Sequence, residues 1–121
     1  MRELEKEFGF QGRTLRQMKR EGRVCVYELL GRGGVLYGYE VVIIKIAPAV
    51  EIKGELYPER EVYPSSSKSS DDWGRVAWSY SRNCFQDALE RYAGLLSEQE
   101  KYGFSASGAV LGSPQEEVEV G

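Results

Sequence analysis

From Arg23 to Ala47 the chain reads RVCVYELL, then GRGG, then VLYGYEVVIIKIA. The two flanking runs are rich in β-branched and aromatic residues, and the glycines Gly31, Gly33 and Gly34 between them supply a turn, which together specify a β-hairpin. A strand sends alternate side chains to opposite faces. On the return strand this sets Val35, Tyr37, Tyr39, Val41 and Ile43 against Leu36, Val42, Ile44 and Ile46. From Val41 to Ile44 both faces are apolar, so this strand is expected at the centre of a sheet, with cover on each side. Pro48 ends it.

Downstream of the hairpin, Gly54 marks a turn, and the steps Tyr57-Pro58 and Tyr63-Pro64 confine any strand over residues 49–64 to the periphery, because proline cannot donate to a ladder. Ser65 to Asp72 (SSSKSSDD) is a polar loop. Trp73 to Tyr80 reads as a further strand with Val76, Trp78 and Tyr80 on one face. A helix is expected from Cys84 to Leu96. Asn83 is placed as its N-cap with Gln86 three residues on, and Phe85, Leu89, Tyr92 and Leu96 form an apolar stripe.

Upstream, Leu4 and Phe8 are four apart and Leu15 and Met18 three apart, the spacing of a helix face. The expectation is a short helix near residues 2–8, a turn at Gly9 to Gly12, and a second helix near 13–21 stopped by Gly22. The organisation that follows is one domain: a helical N-terminal segment over 1–22, an α+β core over 23–97, and an acidic, weakly structured tail over 98–121. The fold class is α+β, a small antiparallel sheet of three to five strands with the C-terminal helix on one face.

The chain has 121 residues, 41% hydrophobic and 29% charged, with a net charge of −3. That is enough apolar material for one core and too much for a disordered chain. No apolar run approaches the roughly 18 residues that span a membrane, and Glu3, Glu5 and Glu7 interrupt the N-terminus where a signal peptide would be apolar. A cytoplasmic location and no membrane partner are expected. Histidine is absent, which removes the Ser-His-Asp and Cys-His nucleophile systems and the commonest metal ligand. Cys25 and Cys84 are far apart in sequence and form no C-x-x-C pair, so they are read as free thiols without metal. Carboxylates at Glu59, Glu61, Asp71 and Asp72 offer a hard-cation site on paper, but neither a metal nor a cofactor is expected.

Charge is uneven. Arg13, Arg16, Lys19, Arg20, Arg23 and Arg32 face only Glu21 and Glu28 within residues 11–32, whereas residues 98–121 carry five glutamates against Lys101. The N-terminal stretch resembles in part a helix-turn-helix: Leu4, the Phe8-Gly9-Phe10 turn, and Arg13-Thr14-Leu15 opening a second helix. On that resemblance Arg13, Arg16, Lys19 and Arg20 would meet phosphates or base edges. Glu5, standing where such a motif holds a small residue, and Gly12 depart from it. Tyr37, Tyr39, Trp73 and Trp78 are the aromatic candidates for stacking or for an interface.

These features favour a small, non-enzymatic, macromolecule-binding protein acting by protein–protein contact. It would be accessory or inhibitory in kind, of the sort that phages use against bacterial defences, with a second copy of the chain as a further partner. The alternative is a nucleic-acid-binding regulator using the basic N-terminal segment. A third reading is an enzyme with Glu40 as acid or base beside Tyr37 and Tyr39.

Overall fold

The computed structural model describes residues 1–64 and 72–111. In chain order the elements are β1 (Glu7–Phe10), β2 (Arg13–Glu21), β3 (Val24–Leu30), a single 3-10 turn (Arg32–Gly34), β4 (Leu36–Ile43), β5 (Lys45–Ala47), β6 (Val50–Ile52), β7 (Glu55–Tyr57), β8 (Arg60–Val62), β9 (Ala77–Ser81) and α1 (Phe85–Lys101). The main sheet has five strands in the order β1-β2-β3-β4-β9, every neighbouring pair antiparallel. The class is α+β, as the sequence pattern implies.

The central hairpin forms as expected. Val24 pairs with Ile43, Cys25 with Val42 and Val26 with Val41. Their alternation divides the interior into two layers. Val24, Val26, Tyr39, Val41 and Ile43 face α1 and pack with its Ala88, Tyr92 and Leu95. Cys25, Tyr27, Val42 and Ile44 face the other way, where Leu15, Tyr63 and Ala77 complete the layer and Leu4, Phe8, Phe10 and Leu29 close over it. Val41, Val42 and Ile44 are fully buried, which is the two-sided cover that an all-apolar strand requires.

The N-terminal helices do not form. Residues 7–21 are instead a second hairpin, in which Phe10 pairs with Arg13 across Gln11 and Gly12. Both loop residues have positive φ, 52° and 79°, as a two-residue hairpin turn of matching twist demands. Phe8 and Phe10 then turn towards the second core layer, and Phe8 meets Tyr27 and Tyr63 edge-on at 5.6 and 5.4 Å between centroids. The helix-like spacing of Leu4, Phe8, Leu15 and Met18 is thus coincidental, and the partly resembling helix-turn-helix has no helix in it.

Other boundaries shift. α1 runs on to Lys101, and its buried residues are Ala88, Tyr92 and Leu95, so Leu89 lies beside the buried stripe and not at its centre. Cys84, not Asn83, precedes the helix as cap, with no side-chain cap bond. Residues 102–111 fold back onto the body: Phe104 bridges Val110, and the Ile46 N–H donates to the Ala106 carbonyl. Arg23 fastens this segment, its guanidinium donating to the carbonyls of Ile44, Phe104 and Ala106. The serine-rich stretch 65–71 and the glutamates Glu116, Glu117 and Glu119 fall outside the described residues.

Candidate functional site

Among the described residues, the apolar layer on the face of the sheet away from α1 holds one buried charged side chain. Strand alternation that sends Tyr39 and Val41 towards α1 sends Glu40 the other way, and Glu40 is only 4% exposed. The Tyr63 hydroxyl donates to Glu40 Oε1. Among the described residues no other hydrogen bond reaches this carboxylate. Burial raises the Glu40 carboxyl pKa, while the Tyr63 bond and the positive charge of Arg13 oppose the rise. Burial and the neighbouring carboxylate push the Tyr63 phenol far above its ordinary value, so it stays protonated as a donor.

Above Glu40 opens a cleft of about 380 Å³. Phe10, Leu29 and Trp73 form its apolar walls, and Gln11, Arg13 and Ser79 its polar rim. Two local devices hold its lining residues Arg13 and Trp73. A bulge opposite Leu29 and Leu30 leaves Tyr37 without a cross-strand partner, and bulges of this kind re-aim a side chain. Tyr37 points outward, 53% exposed, and the Arg13 guanidinium lies 4.5 Å from its ring centroid. Trp73 is held by a tight turn in which the Asp72 carbonyl accepts from the N–H groups of Arg75, Val76 and Ala77. Asp72 itself is buried and pairs with Lys45 at 3.2 Å.

Of the residues singled out from sequence, the fold brings Arg13 and Trp73 into the lining of this cleft, sets Tyr37 against Arg13, and disperses the rest. Arg16 pairs with Glu28 at 2.8 Å. Arg20 pairs with Glu61 at 2.6 Å, at the opposite end of β2. Lys19 is exposed. Tyr39 lies in the helix-facing core against Phe85, so neither it nor Tyr37 partners Glu40. Trp78 is half-buried under Arg91, 4.8 Å from its guanidinium. Glu61 and Asp72, each held by a cation, do not converge. Tyr63 is the partner that sequence reasoning missed, because its Tyr-Pro step pointed only to the periphery.

A second exposed feature is the arm of residues 45–62. Its base is the β5–β8 pair, and its tip is the β6–β7 pair, turning at Lys53 and Gly54 with φ of 52° and 82°. Every residue from Pro48 to Glu59 is exposed. Val50 opposes Tyr57, and Ile52 opposes Glu55, so Val50, Ile52 and Tyr57 share one face, while Leu56 stands on the other at 73% exposure.

Both cysteines are free, Cys84 half-buried beside Ser81 and Cys25 buried. Burial drives the Cys25 thiol up to about 12. Among the described residues no helix is long and apolar enough to cross a membrane. No family model, curated protein or solved structure matches this chain.

Proposed function

We propose that the chain is a non-enzymatic protein-binding module, accessory or inhibitory in kind, which engages its partner through the tip of the 45–62 arm. The supporting observation is the exposure of Val50, Ile52, Leu56 and Tyr57, between 42% and 73%, on one projecting ribbon. A lone two-stranded ribbon is marginally stable in water, and its free edges and apolar side chains invite a further surface. Glu51, Glu55 and Glu59 outnumber Lys53 along the tip, so the matching surface is an apolar patch on another protein with a basic rim.

The basic strand β2 does not favour nucleic acid over protein. Arg16 and Arg20 already hold carboxylates, and phosphate would have to displace them.

The test is affinity capture from native extract with the parent chain and with an Ile52→Lys, Leu56→Lys variant of unchanged melting temperature. The expected result is a protein retained by the parent and lost by the variant. Equal retention by both, or recovery of nucleic acid that elutes with salt, would overturn the proposal. Sedimentation of the purified chain identifies the case in which the partner is a second copy.

A further inference from the structure

Independently of the arm, we infer that the Glu40 cleft is a binding site for a small planar ligand that offers two adjacent N–H donors to the Glu40 carboxylate and an anionic group to Arg13. The carboxylate is 4% exposed, and Tyr63 engages one of its oxygens. A buried carboxylate in an apolar layer ordinarily has its acceptor sites filled. The cleft lies where the missing donor would come from, and a carboxylate accepts best from a parallel pair of N–H groups.

Charge narrows the choice. A simple cation would gain Glu40 but meet Arg13 at the rim; a simple anion would gain Arg13 but meet Glu40. A ligand carrying both a donor edge and an anion satisfies the two together. Arg13 is already oriented for this by its stacking on Tyr37. The walls suit a flat group: Phe10 and Trp73 line the cleft, Trp73 stays 41% exposed, and an exposed aromatic ring offers a π-face on which a planar group stacks. A volume of about 380 Å³ admits a ligand of mononucleotide size.

Two sources share this chemistry. One is a guanine nucleotide, with its ring N–H and amino group on Glu40 and its phosphate on Arg13. The other is an arginine derivative, with its guanidinium on Glu40 and its carboxylate on Arg13.

The chain has two tryptophans, so Trp78→Phe leaves Trp73 as the sole tryptophan reporter. Fluorescence titration of this variant uses guanosine monophosphate and N-acetylarginine, with adenosine monophosphate and inorganic phosphate as controls. At least one of the first two should quench saturably, and which of them does so identifies the source. Both controls should bind at least about tenfold more weakly, a difference of about 1.4 kcal/mol. Glu40→Gln should weaken binding by a similar factor. The exposed Arg13→Gln change, which leaves the core untouched, should remove the preference for guanosine monophosphate over guanosine, or for N-acetylarginine over its amide. Absence of saturable quenching by both ligands would overturn the inference. So would equal binding of phosphate alone, or an Arg13→Gln variant that binds like its parent.

Discussion

Glu40, which is buried, and Glu61, which is half-buried, respond oppositely to pH, because Glu61 has a full counter-charge and Glu40 does not. Arg20 and the Leu4 N–H hold the Glu61 carboxyl below the usual carboxylate range. Its contribution to stability is therefore present above the ordinary carboxylate pKa and is lost as pH falls through the lowered value. Glu61→Gln should cost about 1–3 kcal/mol near neutral pH, at the lower end for a pair that is not fully buried, and progressively less in acid as pH falls through the lowered pKa. Glu40 behaves in reverse. Its raised pKa favours the fold below the ordinary carboxylate value, and that advantage is lost as pH rises through the raised one. Glu40→Gln should therefore stabilise the protein at neutral pH and change nothing in acid. Urea melts at the two pH values check both signs. Gly38 is a third position of consequence, since a Cβ there would run into the Tyr80 carbonyl where β4 and β9 approach. Gly38→Ala should cost about 1–3 kcal/mol by forcing the strands apart.

At the scale of elements, the buried face of α1 runs through Ala88, Tyr92 and Leu95. Leu95→Ala should cost about 2–5 kcal/mol as a core truncation, and Leu89→Ala clearly less; thermal unfolding separates them. The central hairpin was legible because Val24 to Leu30 and Leu36 to Ile43 bury both faces, and continuous β-branched runs have few other uses. The first hairpin was not. β2 buries only Leu15 fully and, apart from Thr14 and Met18, otherwise carries Arg, Lys, Gln and Glu, which are good helix formers when nothing else constrains them. Its turn is Gln-Gly, a weaker hairpin signal than Asn-Gly. Accidental three- and four-residue spacings filled the gap. The Glu40 cleft was half legible: Arg13 and Trp73 stood out as residue types, but Tyr63 reaches Glu40 only through tertiary folding, across 23 positions of sequence.

For the molecule as a whole, the arm and the body are expected to behave as separable parts. Residues 48–59 are exposed throughout, so replacing them with a short glycine-containing turn should leave the melting temperature nearly unchanged, because surface changes away from packed features stay within about 0.5 kcal/mol. Calorimetry of the shortened chain measures this, and the shortened chain should still titrate its cleft ligands. The body is less divisible. Its two core layers share β3 and β4, so damage to either side reaches the other through the strands between them.

Arg23 ties the start of β3 to carbonyls at Phe104 and Ala106, while the Arg23 N–H donates to Gln99 at 2.8 Å. On the ribosome, then, the four consecutive strands emerge well before the helix and hook that cover them. For that interval Val24, Val26, Val41 and Ile43 present a bare greasy sheet. A nascent chain stalled before Phe85 should be a chaperone client and should clump if released, whereas one carried past Ala106 should be protease-resistant.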